Sequence, residues 1–111
     1  MSSAPNVGDI VLLDFNPQAG HEQAGKRPAL VLTNRLFNQK TGFAWLCPIT
    51  NQAKGYPFEV AVDGSKKTTG VILVDQLKSL DWKARNLRTV DSVNTSCLKN
   101  VKELAATILN S

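Results

Sequence analysis

A small, strongly bent antiparallel β-barrel carrying one C-terminal helix, a mainly β (α+β) fold, is what this sequence predicts. Three observations lead there. Short runs of strand-forming residues recur along the chain, polar loops punctuated by Gly, Asn and Asp separate them, and apolar residues take up a convincing helical spacing only at the C-terminus. No repeat or linker divides the 111 residues, which are enough for one core and too few for two, so residues 1–111 read as a single domain.

Val7 to Phe15 reads as the first strand, with Gly8 marking a turn or a close backbone approach at its start. Pro28 to Asn34 is almost continuously apolar and therefore predicts a strand buried on both faces. Arg35 to Lys40 suits a short helical turn ended by Thr41 and Gly42. Phe43 to Thr50 is the third strand, and because Pro48 has no N–H to give a ladder, an edge or a bulge is expected there. After the polar loop Asn51 to Gly55, Tyr56 to Val62 alternates as a strand, Asp63-Gly64-Ser65 turns, and Gly70 to Gln76 is a further buried strand. Asp81 can cap a short turn from Trp82 to Arg85, and Leu87 to Val90 returns as a brief strand. With Asn94 or Thr95 as N-cap, Leu98, Val101, Leu104, Ala105 and Ile108 fall on one stripe of a helix that packs on the barrel.

Hydrophobic residues make up 42% and charged residues 20% of the chain, values of an ordinary globular protein. The longest apolar stretches are far shorter than a membrane span and no export-signal pattern opens the chain, which predicts a cytoplasmic protein. Cys47 and Cys97 then read as reduced packing residues; they lack metal-ligand spacing, and the single histidine cannot complete a zinc site with them, so no metal or other cofactor is expected.

A formal net charge of +4 suits a polyanionic partner. Lys26, Arg27, Lys54, Lys66, Lys67, Lys78, Lys83, Arg85 and Arg88 all fall in or beside connections, where they can converge on one surface. Phe15, Tyr56, Phe58 and Trp82 lie near several of them, an arrangement that holds single-stranded nucleic acid by phosphate neutralisation and base stacking. Of these rings, Phe58 and Trp82 read as core. The segment from Asn16 to Arg27 gathers the chemistry: His21 or Glu22 can move a proton, Arg27 can neutralise a developing oxyanion, and the same residues also suit a solvated connection.

Gly8-Asp9-Ile10, Pro17, Gly20-His21-Glu22-Gln23, Gly25 and Arg27-Pro28 resemble the opening signature of the MazF/PemK/Kid family of toxin endoribonucleases. The resemblance runs on through Phe37-Asn38, Pro48-Ile49-Thr50, Gly70-Val71, Asp75-Gln76 and Trp82 to Arg85, with Lys54 to Val60 similar to the MazF branch above all. It implies an SH3-like barrel of the Kid/MazF/CcdB kind. It further implies a homodimer, the toxin of a toxin–antitoxin pair, that cuts single-stranded RNA at short sequences without a metal ion. The products expected from the family carry a 2′,3′-cyclic phosphate and a 5′-hydroxyl, and the expected partner is an antitoxin with an acidic, disordered tail.

By that resemblance Arg27 and Thr50 match the family's key arginine and threonine, as phosphate clamp and as hydrogen-bond donor to a non-bridging oxygen. Glu22 is the expected general base, with His21 behind it; the alternative for Glu22 is a salt bridge that aims Arg27. Phe15, Lys54, Tyr56 and Gln76 occupy positions that would line the RNA groove. The Kid branch has a catalytic arginine where this chain has Leu73, which leaves Asp75 as a structural or RNA-orienting acceptor. Two other readings share the fold. A CcdB-like gyrase-binding poison would carry an aromatic residue at a C-terminus that here reads Ile108 to Ser111, and a non-catalytic RNA-binding barrel would need no pairing of Arg27 with Thr50.

Overall fold

The computed structural model describes residues 3–15 and 25–110. Within them the chain forms strands β1 (Asp9–Asp14) and β2 (Lys26–Val31), helix α1 (Arg35–Thr41), and strands β3 (Phe43–Thr50), β4 (Glu59–Ala61) and β5 (Val71–Leu73). A single 3₁₀ turn (Val74–Gln76) follows, then β6 (Lys78–Asp81), β7 (Arg88–Ser92) and helix α2 (Thr95–Leu109). Every strand pairing is antiparallel, in the order β4-β5-β3-β2-β1-β7, with β6 paired to β3.

This sheet is strongly bent but not closed. β4 and β7 stand at the ends of the strand path, and the loop that follows β4 is tied to β7 and to the residue that caps α2. The Asp91 carboxylate of β7 accepts from the backbone N–H groups of Lys66, Lys67 and Thr68, each at 2.9 Å. Beside it the Asn94 N–H donates to the Asp63 carbonyl at 3.0 Å.

Alternation along the strands divides the core in two, because successive side chains point to opposite faces. Val11, Leu13 and Phe15 join Ala29, Val31, Ala44 and Leu46 on one side, where Trp82 is buried among them. Ile10, Leu30, Cys47, Ile49 and Ile72 face the other way, under Cys97 and Val101 of α2. As predicted, Asn94 caps α2, its side chain accepting from the Cys97 N–H at 2.8 Å. A helix of this length is marginal in isolation. Full burial of a side chain such as Val101, worth about 1.5–3 kcal/mol, holds it on the sheet.

Four expectations are corrected. Pro48 is not at an edge: β3 is central, pairing with β2, β5 and β6. Its missing donor is harmless because the Trp45 carbonyl faces β2, where it accepts from Leu32, so by alternation the Pro48 nitrogen faces away from β2. On that side β3 passes from pairing with β6 to pairing with β5, and the ladder is interrupted. The strand expected from Tyr56 begins only at Glu59, because the Glu59 N–H donates to the Tyr56 carbonyl and makes a turn of the residues before it. The strand expected over Gly70 to Gln76 ends at Leu73 and tightens into the 3₁₀ turn, after which β6, not foreseen, pairs with β3. Phe58, read as core, is 40% exposed on that same turn, whereas Trp82 is buried and donates from its indole N–H to the Asn38 carbonyl at 2.9 Å.

Candidate active site and RNA groove

The end of β3 is the anchor of the site. Ile49 and Thr50 pair with Ile72 and Val71 of β5, which fixes the Thr50 backbone, and the side chain is 7% exposed. The Thr50 hydroxyl accepts from the Gln52 N–H at 3.1 Å. A hydroxyl used in this way still has its own proton to donate. Gly70 crosses directly beside it with φ +117°, and a Cβ on Gly70 would lie 2.4 Å from the Thr50 carbonyl oxygen, a contact only glycine avoids.

Thr50, Gln52, Lys54, Tyr56, Glu59, Leu73, Asp75 and Gln76 line one depression of about 340 Å³. Four of the residues singled out in the sequence, Thr50, Lys54, Tyr56 and Gln76, are therefore brought together from the end of β3, the loop after it and the 3₁₀ turn. The Lys54 ammonium lies 6.0 Å from the centre of the Tyr56 ring, so cation and ring form one wall. Leu73, in the place of the Kid-branch arginine, contributes apolar surface.

Arg27 is exposed near the start of β2 and lies opposite Leu13 of β1. On its other side the β2–β3 register runs from Val31 opposite Leu46 to Ala29 opposite Pro48. Arg27 lies two residues beyond the last paired position on β2, and Thr50 two beyond it on β3. Glu22 and His21 lie outside the described residues.

Phe15 does not join the groove. It is 2% exposed in the core with Val11 and Leu13, while its N–H donates to the Gly25 carbonyl at 2.9 Å. The period-two alternation of Val11, Leu13 and Phe15 carried that signal in the sequence. Gln52 and Glu59 also line the depression without having been singled out. The Glu59 carboxylate accepts from the backbone N–H groups of Lys54 at 3.1 Å and Gly55 at 3.0 Å, a role no local sequence pattern announces.

Thiol chemistry has no place here. Burial first, and the Asp75 charge second, push the Cys47 thiol up to about 12, and burial also raises Cys97; both are free cysteines. Among the described residues no three His, Cys, Asp or Glu side chains gather to hold a metal ion, and no helix is long and apolar enough to cross a membrane.

Residues 6–109 match the profile of a family described as PemK-like, MazF-like toxin of type II toxin–antitoxin system. The chain is 45% identical over 98 residues to the endoribonuclease toxin MazF of Escherichia coli strain K12, covering 88% of this chain and 87% of that protein. The crystal structure of MazF (Form-I) from Deinococcus radiodurans superposes with a TM-score of 0.93 at 41% identity, covering 99% of this chain and all of that one. A crystal structure of MazE–MazF (Form-II) from the same organism matches with a TM-score of 0.85 at 35% identity over 97% of each chain.

Proposed function

We infer the reaction from the family: this chain belongs to the PemK-like, MazF-like toxins of type II toxin–antitoxin systems and is an endoribonuclease toxin of the MazF kind. On this reading it cuts single-stranded RNA, mRNA included, at short sequences and without a metal ion. The observation that carries it is the convergence of Thr50, Lys54, Tyr56 and Gln76 on one depression, with Arg27 near the start of the neighbouring strand β2.

The chemistry follows from what the reaction demands. The ribose 2′-oxygen attacks its own phosphate, the bond from phosphorus to the 5′-oxygen breaks, and the products carry a 2′,3′-cyclic phosphate and a 5′-hydroxyl. Glu22 takes the 2′-proton, with His21 as the other candidate, and the leaving 5′-oxygen takes its proton from water. Arg27 binds the phosphate through its planar fork and offsets the charge that builds on the equatorial oxygens, while Thr50 donates to one of them. Arg27 acts as a clamp and not as the acid, because a guanidinium has no acceptor and keeps its charge. Tyr56 stacks a neighbouring base, Lys54 neutralises its phosphate and Gln76 reads a base edge.

The partner is a MazE-like antitoxin with an acidic tail, and the protein works in the cytoplasm as a homodimer; the MazE–MazF structures of Deinococcus radiodurans support the antitoxin part of this reading. The exposed apolar side chains Phe37, Trp45, Ile108 and Leu109 support a second copy as their cover. Incubating the purified protein with a long RNA in EDTA and mapping the ends tests the reading. Cutting that persists, leaves cyclic phosphates and spares an RNA with 2′-deoxyribose at the cut supports it; a strict magnesium requirement or cutting of the deoxy substrate overturns it.

A further inference from the structure

All eight residues from Asn51 to Phe58 are exposed, so no buried side chain anchors this segment in its conformation. Glu59, half-buried at the first position of β4, reaches back over it. Its Oε2 accepts from the Lys54 N–H and its Oε1 from the Gly55 N–H, while its own N–H donates to the Tyr56 carbonyl at 3.2 Å. Gly55 takes φ +75°, the left-handed conformation that allows two successive N–H groups to meet one carboxylate. The turn closed in this way carries the Lys54–Tyr56 wall of the depression. A carboxylate facing an RNA groove would repel phosphate unless its charge were engaged, and here both oxygens are.

We propose that Glu59 is a positioning residue for RNA recognition: it locks the turn from Lys54 to Glu59 so that Lys54 and Tyr56 present a fixed cationic and stacking wall, which selects the base accepted next to the cut. The proposal rests on the reading of the depression as an RNA groove. Glu59 itself acts through the turn, and Val60 opposite Ile72 keeps β4 in the sheet without it.

Glu59→Gln separates positioning from folding, because an amide has one acceptor and must turn a donor towards the second N–H. The variant should raise KM for a short RNA with one mapped cut site by roughly tenfold, the worth of one charge-assisted bond, and change kcat little. On a long RNA it should cut at a wider set of sequences than the wild type, and the Lys54 and Gly55 amides should exchange hydrogen faster. Glu59→Asp, which keeps the charge but falls one methylene short, should behave alike and carries the test if the Gln variant melts early. Gln76→Ala is measured alongside. If it raises KM while both Glu59 variants keep the wild-type KM and cut sites, the positioning role is overturned and the RNA reading stands. If neither Gln76→Ala nor Thr50→Ala affects cutting, the groove reading fails and takes the Glu59 role with it.

Discussion

Gly70 and Thr50 touch backbone to backbone at the mouth of the candidate site: a Cβ on Gly70 would stand 2.4 Å from the Thr50 carbonyl oxygen. The contact means that the site threonine is held by a residue with no side chain. Gly70→Ala must either push Thr50 away or strain a backbone at φ +117°. The variant should lose about 1–3 kcal/mol of stability, as overpacked positions do, and cut RNA more slowly than its lowered melting temperature alone explains. Thermal denaturation and single-turnover cleavage below the transition check both effects; a wild-type Tm with wild-type cutting would show that the crossing is not tight.

Proton removal from the 2′-hydroxyl is assigned to Glu22. Glu22→Gln should lower the rate by roughly 10²–10⁴, the usual worth of a positioned general base, and His21→Ala by less. If His21→Ala has the larger effect, the roles of these two residues are exchanged.

Asp91 ties the loop at Lys66 to Thr68 onto β7, and its bonds to the backbone N–H groups of Lys66, Lys67, Thr68 and Ser92 hold its carboxyl well below the usual carboxylate range. A depressed folded pKa contributes stability that is present above the unfolded value, about 3.9, and lost as the pH falls through the folded one. Asp91→Asn should therefore be less stable than the wild type at pH 7, and the gap should narrow below about pH 4. Urea titrations across that range measure it, and a gap that is constant with pH would mean the carboxylate charge contributes nothing.

Local patterns in the sequence revealed most of the strands, though not β6, and the C-terminal helix, since period-two and helical spacings are written in neighbouring residues. Asn94 and the stripe through Val101 are examples. What they missed depends on distant partners. Pro48 signalled an edge or a bulge, but the interruption that accommodates it is made by the 3₁₀ turn at Val74–Gln76 and the onset of β6. Tyr56 to Phe58 alternate like a strand, yet Glu59 bonds back onto Lys54 and Gly55 and makes a turn of them. Closure of the barrel was expected from many short strands, but β4 and β7 do not pair; Asp91 and Asn94 instead hold the loop that follows β4. Phe15 was misplaced because an aromatic beside a basic loop suggests stacking, although its alternation with Leu13 already pointed to the core.

Cleavage by Arg27→Ala is the measurement that bears most directly on the account, because the proposed mechanism makes Arg27 the phosphate clamp beside Thr50. The side chain is exposed on the first residues of β2, so the variant should fold and dimerise as the wild type does by circular dichroism and light scattering. Its rate should fall by about 10²–10³, the loss typical of one preorganised charge donor, and Arg27→Lys should recover little because an ammonium lacks the bidentate fork. It should be harmless to cells while still binding the antitoxin. A folded Arg27→Ala protein that cuts the same RNA at near wild-type rate would contradict the account and remove Arg27 from the site.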